Sequence, residues 1–237
     1  MPAFMQAQEA NLTATDHLFR LLPWIEANWK RIAFGAAIIT IAVFVFLFYS
    51  YQQNQREIAA GQALTQAVVS GEASQRAAAC LKVAADYAGT AAGQRALIEG
   101  ATALFTTGKY ADAQSTFQKY LDTYPDGFFN PQALLGVAAS LDALGKTDLA
   151  IGAYQKAAGQ TASASVAANA KSSLARIYEA QGKLADAAKL LGEVSRTYPN
   201  TSLGSEAGLH AMDLRAKLPA APATTAPATN VPFNLSK

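Results

Sequence analysis

The feature that most constrains this chain is an uncharged run of twenty residues, 32–51, which reads IAFGAAIITIAVFVFLFYSY. At a rise of about 1.5 Å per residue, a helix of this length is about 30 Å long, the thickness of a bilayer's hydrocarbon core. Cleaved signal peptides have shorter apolar cores of about 7 to 15 residues near the N-terminus, followed by a small-x-small site. Here the run starts after thirty-one residues and exits through YSYQQ. We therefore expect an uncleaved transmembrane helix at 32–51.

The charges that flank this run predict its orientation. Arg20, Lys30 and Arg31 precede it, whereas the twenty residues after it contain only Arg56. Because positively charged flanks stay in the cytoplasm, we expect residues 1–31 to form a cytoplasmic leader and the remaining chain to be exported.

The leader contains an apolar stripe at helical spacing, which predicts a short amphipathic helix. Pro23 interrupts the stripe and suits the first turn of a new helix better than a helix interior. A solvated leader and a partner-binding helix fit this pattern equally well, so the leader receives no specific role. The stripe consists of Leu18, Leu21, Leu22 and Ile25. After the apolar run, residues 52–70 contain no proline and can continue the membrane helix outward as a stalk.

The composition of the exported part argues against several functions. From Gln52 onward it carries 16 of the 19 Lys and Arg residues and 14 of the 17 Asp and Glu residues. This near-neutral, scattered charge is unlike the basic patch of a nucleic-acid binder. Cys80 is the only cysteine, which we expect to be a buried small residue, and the two histidines do not form a metal-binding cluster. Phosphate loops and nucleophile or metalloprotease motifs are absent from the sequence, so we expect neither an enzyme nor a cofactor.

The exported part repeats every 37 residues. Gly108, Gly145 and Gly182 occur in the contexts TTGKYADA, ALGKTDLA and AQGKLADA. Glycine closes a helix at low cost, so each Gly-Lys marks the turn between two helices. Small residues recur five positions later and bulky residues four positions after those, on one helical face. They are Ala113, Ala150 and Ala187, followed by Phe117, Tyr154 and Leu191. Gly71 and Tyr87 extend the spacing to a degenerate leading repeat, in which Arg76 occupies the small-residue position. Periods of this length predict an all-α solenoid of helix pairs.

These residues resemble the tetratricopeptide repeat. The first full unit, LIEGATALFTTGKYADAQSTFQKYLDTYP, carries the signature residues Leu97, Ala101, Leu104, Gly108, Tyr110, Ala113, Phe117 and Pro125. The second matches through Leu134, Ala138, Leu141, Gly145, Ala150, Tyr154 and Ala157, and the third through Leu174, Ala175, Tyr178, Gly182, Ala187, Leu191 and Pro199. The resemblance implies three to four repeats over 71–218, which include a solvent-facing terminal helix at 202–218. An Ala/Pro-rich tail at 219–237 is not expected to pack.

The same resemblance implies a concave protein-binding groove on the first helix of each pair. The corresponding positions are Arg95, Ile98, Thr102 and Phe105 in the first unit, Gln132, Leu135, Ala139 and Asp142 in the second, and Asn169, Ser172, Arg176 and Glu179 in the third. The groove is therefore expected to be apolar at one end and polar at the other. It does not carry the Lys and Asn carboxylate clamp of the chaperone-cofactor versions of this fold. An alternative is that the groove packs the chain's own stalk, 52–69.

The layout of leader, single span and exported repeats is similar to the YfgM-like ancillary subunits of the bacterial SecYEG translocon. That resemblance implies a single-pass inner-membrane protein whose periplasmic domain associates with the translocon and with a membrane-anchored chaperone. Two other functions stay open: an envelope scaffold for cell division or outer-membrane assembly, and a membrane-bound regulator that acts through its cytoplasmic leader. A homo-oligomer is also possible.

Overall fold

The structure is a computed structural model that describes residues 2–69, 71–160 and 163–219, and for residues 2–22 and Ile25 only the course of the backbone. These residues form α-helices and no strands, which confirms the predicted all-α fold. The helices are α1 (Pro2–Val69), α2 (Ala73–Asp86), α3 (Ala91–Thr106), α4 (Tyr110–Thr123), α5 (Asn130–Ala143), α6 (Thr147–Ala158), α7 (Ala164–Ala180), α8 (Leu184–Thr197) and α9 (Ser202–Ala216). The predicted tail lies almost wholly outside the described residues.

The chain divides into two compact units, Met1–Ala59 and Ala60–Lys237. In the second unit, helices from α2 onward pack against their neighbours in sequence and form the helix pairs α3/α4, α5/α6 and α7/α8. The Gly-Lys turns have the predicted left-handed backbone, with φ values of 77° at Gly108, 71° at Gly145 and 74° at Gly182. This arrangement confirms the tetratricopeptide-like solenoid.

The 37-residue spacing also identifies the core. Ala113, Ala150 and Ala187 are each 0% exposed, so the small positions are the places where helices approach most closely. The bulky positions that follow are buried as well, as predicted: Phe117, Tyr154 and Leu191. Two large buried clusters result, one spanning α2 to α7 and the other formed by α7, α8 and α9.

The end of α1 belongs to the solenoid. Leu64 and Ala67 lie in one buried cluster with Cys80, Val83 and Ala96 of α2 and α3. Gly71 has a φ of 64°, like the glycines of the later turns, so the C-terminal part of α1 and α2 form the leading helix pair. The sequence assigned 52–70 to a stalk outside the solenoid, but the second compact unit starts at Ala60 because every fourth or third residue after it is buried.

The first unit contains the apolar run. Within α1, the segment Glu26–Val69 includes a window of mean hydropathy 2.6 with none of it buried, so it is long and apolar enough to cross a membrane. Exposed apolar side chains such as Phe34, Phe44 and Phe48 cover it. α1 passes through Pro23 without a break. The predicted helix start at Pro23 is therefore wrong, and the lost backbone hydrogen bond is tolerated within one long helix.

Candidate binding groove

Six of the twelve predicted groove residues line one pocket between α3 and α5. This α3/α5 pocket has a volume of about 260 Å³ and an almost entirely apolar lining. Its walls are the first helices of two successive pairs, so equivalent positions of the repeat face each other across it. The six residues are Ile98, Thr102, Phe105, Gln132, Leu135 and Ala139, and Phe117 and Gly136 complete the lining.

The α3/α5 pocket owes its floor to a glycine. A β-carbon built at Gly136 would lie 2.5 Å from the ring atoms Cε2 and Cζ of Phe117. The ring is only 4% exposed, so it has little room to move away. Gly136 therefore lets the Phe117 ring reach from α4 under α5 and form part of the pocket. Phe105 packs edge-on against Tyr110, with 5.2 Å between ring centroids, which holds the other wall.

Next along the repeat, the groove is polar. The carboxylate of Asp142 on α5 accepts hydrogen bonds from the guanidinium of Arg176 on α7 and from the hydroxyl of Tyr154 on α6. Asp142 is largely buried, whereas the Arg176 side chain is 65% exposed. Burial raises the pKa of Tyr154, and the negative charge of Asp142 adds to the effect. The ion pair between Asp142 and Arg176 joins the second and third repeat units at the groove.

A second pocket, of about 220 Å³, lies between α7 and α9. Ser172 and Arg176 of α7 face Leu203, Glu206 and His210 of α9 across this α7/α9 pocket. The hydroxyl of Ser172 is buried and makes no hydrogen bond within the described part of the chain. At the pocket's edge, the Nε2 atom of His210 lies 3.0 Å from a carboxylate oxygen of Glu179. The lining thus changes from apolar in the α3/α5 pocket to more polar in the α7/α9 pocket.

The remaining predicted residues lie outside both pockets. Arg95 is exposed on α3, where its Nε atom is 3.5 Å from the carboxylate of Glu99 one turn later. Asn169 is exposed on α7. Residues 60–69, the C-terminal part of the predicted stalk, line neither pocket, because they pack in the buried cluster with α2 and α3.

Sequence reasoning missed the contribution of α9. Continued by 37 residues, the groove register reaches Glu206, Leu209 and Asp213. Glu206 lines the pocket, whereas Leu209 is 69% exposed and His210, one position later, lines the pocket instead, which indicates a small rotation of α9. The apolar spacing of α9 was the available indication of this rotation: Ala207, Ala211 and Leu214 are its buried residues.

Chemically, the described residues offer contact surfaces. Clusters of three or more His, Cys, Asp or Glu side chains that could hold a metal ion are not found among them. Cys80 is fully buried as predicted, and its burial, with the nearby charge of Glu99, raises the pKa of the thiol. Away from the groove, Lys171 on α7 lies 2.8 Å from Glu193 on α8 and lowers the pKa of that carboxylate. These features stabilise helix packing and present no reactive group in the groove.

The chain is similar to several solved structures. One is a structure of kinesin light chain repeats from Podosopora anserina, described as nearly identical TPR-like repeats. It is 15% identical to this chain, with a TM-score of 0.49, and the match covers 70% of this chain and 87% of the Podosopora chain. The MamA protein is 16% identical, with a TM-score of 0.48, and covers 71% of this chain and 100% of its own. No curated protein sequence matches the chain.

Family models identify the repeats directly. The model described as a tetratricopeptide repeat-like domain matches residues 23–152, which is more than half of the chain. A second model, described as a tetratricopeptide repeat, matches residues 173–201 in α7 and α8. Arrays of such repeats present extended surfaces for protein partners and are generally non-catalytic. The chain belongs to the tetratricopeptide repeat-like domain family, and its solenoid is a scaffold for protein–protein interaction.

Proposed function

We propose that this protein is a membrane-anchored adaptor whose exported solenoid holds a chaperone or an exported chain beside the Sec translocon. The observation that carries the proposal is the construction of α1. This helix contains a segment apolar and long enough to span a bilayer, and its last ten residues form part of the leading helix pair. One helix therefore contributes both the apolar segment and part of the solenoid.

Attachment matters because the groove is small and open. Its two pockets have volumes of about 260 and 220 Å³, below the roughly 300–1,000 Å³ of sites that enclose a drug-sized ligand. Pockets of this size suit individual side chains of a protein segment, which binds weakly through few contacts. Confinement to a membrane raises the effective concentration of such a partner. A non-catalytic tether is the function that these features support best.

The orientation is tested by labelling single cysteines in whole cells. After Cys80→Ser, a cysteine at the exposed position of Leu209 should react with a membrane-impermeant thiol reagent once the outer membrane is permeabilised. A cysteine in place of Thr13 should react only after the inner membrane is opened. The reverse pattern would place the solenoid in the cytoplasm and exclude an adaptor for exported chains.

The partner is tested by affinity purification from native membranes in mild detergent, followed by mass spectrometry. We expect translocon subunits together with an envelope chaperone. A shortened protein that keeps residues 1–59 and lacks the solenoid should lose the chaperone. Recovery of cell-division or outer-membrane assembly proteins, without the translocon, would instead support an envelope scaffold.

A further inference from the structure

We infer that the groove recognises a segment that carries a bulky apolar side chain and, about five or six residues away, a lysine or arginine. This inference rests on the proposed function, since it describes the partner of the same groove. It uses three observations: the chemistry of the α3/α5 pocket, the charge around the α7/α9 pocket, and the separation of the two pockets along the repeat.

The α3/α5 pocket selects the apolar residue. Ile98, Phe105 and Leu135 supply its walls, and the Phe117 ring supplies its floor. Filling it removes apolar surface from water on both partners, which stabilises the complex in proportion to the area buried. A charged side chain placed there would lose its hydration and meet no opposite charge, because none of the lining residues is charged.

The α7/α9 pocket selects the cation. Two charged side chains line it, those of Arg176 and Glu206. Asp142 is already paired with Arg176, and Asp213 and Lys217 pair with each other on α9. Because Arg176 is neutralised by Asp142, the carboxylate of Glu206 is left as the unpaired charge of the lining. Glu206 is exposed at the pocket, so a basic side chain is the complementary partner.

The spacing follows from helix packing. The α3/α5 pocket and the α7/α9 pocket are separated by two helix-to-helix spacings along the row formed by α3, α5, α7 and α9. Packed helices lie about 8–10 Å apart, so the pockets are about 16–20 Å apart. An extended chain advances about 3.3 Å per residue, which converts this distance to about five or six residues. The inferred partner is therefore an extended, basic and apolar segment, and either chain direction satisfies the spacing.

The test is a selection from a library of random 14-residue peptides against the full chain in lipid nanodiscs, with and without Glu206→Lys. For the unchanged protein we expect enrichment of Phe, Leu or Ile with Lys or Arg five or six positions away. Glu206→Lys should replace the basic preference by Asp or Glu and keep the apolar one. Glu72→Lys, an exposed substitution of the same charge change on the turn before α2, should leave both preferences intact.

A selected peptide then gives a quantitative check by fluorescence anisotropy. Replacing its basic residue by Ala should weaken binding to the unchanged protein about two- to fivefold, as for a solvent-exposed ion pair, and should have less effect with Glu206→Gln. An enriched acidic residue, a basic preference that Glu206→Lys does not alter, or the absence of any enriched peptide would overturn the inference. If chaperone capture in cells still depends on the solenoid in that case, the adaptor function stands and only this description of the partner fails.

Discussion

Two glycines in neighbouring helices meet opposite surroundings. A β-carbon at Gly136 in α5 would overlap the buried ring of Phe117, whereas a β-carbon at Gly152 in α6 has no atom within 4 Å outside its own helix. Gly136→Ala should therefore destabilise the solenoid by about 1–3 kcal/mol, as overpacking does. Gly152→Ala should stabilise it by about 0.5–1 kcal/mol, because alanine is the better helix former. Thermal melts of the full chain in detergent, followed by circular dichroism, measure both.

The two glycine variants control for each other, since each adds one methyl group to a helix interior. Stabilisation by both substitutions would mean that the Phe117 ring does not occupy the space under α5. The floor of the α3/α5 pocket would then have to be formed by other side chains.

The small residues of the repeat give a second prediction. Ala150 is 0% exposed where α6 meets its neighbours, and Ala111 is exposed on α4. Ala150→Leu should overpack the interface and cost about 1–3 kcal/mol, whereas Ala111→Leu should change stability by less than about 0.5 kcal/mol. Equal shifts in the melting temperature would show that the assigned repeat register is wrong.

At the scale of the helix, the end of α1 has a structural role of its own. Leu64 is 8% exposed and packs in the cluster with Cys80 and Val83, whereas Thr65 is exposed on the same turn. Leu64→Ala should cost about 2–4 kcal/mol through the lost apolar contacts and the cavity left behind. Thr65→Ala should be nearly neutral. Chemical denaturation followed by circular dichroism distinguishes the two variants. An unchanged denaturation midpoint for Leu64→Ala would mean that residues 60–69 do not pack in the solenoid and instead form a free stalk.

Most helices could be predicted from the sequence because the 37-residue period repeats both the turn glycines and the small buried positions. Two features were predicted incorrectly: the position of the end of α1 and the course of α1 at Pro23. Residues 52–70 contain no proline and follow the apolar run directly, which predicts a stalk, although Leu64 and Ala67 keep the buried spacing of a first helix. Pro23 predicted a helix start, but α1 continues through it.

The groove was predicted less completely than the fold. The resemblance to the tetratricopeptide repeat supplied the six residues that meet in the α3/α5 pocket, which occupy equivalent positions of neighbouring repeats. It did not locate Phe117 or Gly136, whose role depends on the close contact between α4 and α5. The groove assignment also stopped at α7 and so left out Glu206 and His210 of α9, although Glu206 lies 37 residues after Asn169.

At the scale of the molecule, the two compact units suit different solvents. The first, Met1–Ala59, exposes large apolar side chains along α1, which is favourable only when a lipid or protein surface covers them. The second, Ala60–Lys237, buries its apolar residues in the solenoid and leaves mixed charges on its surface. This division is what a membrane-held adaptor requires, because the anchor and the binding surface use separate parts of one chain.

Site-specific photo-crosslinking in intact cells tests the central claim, that the groove of this anchored solenoid binds an envelope partner. A photoreactive amino acid at Leu135, inside the α3/α5 pocket, should capture a translocon-associated chaperone or an exported chain, identified by mass spectrometry. The same amino acid at the exposed position of Lys119 on α4, away from the α3/α5 pocket, should not. Crosslinks from Leu135 only to the chain's own residues 52–69, or equal capture from both positions, would contradict the account.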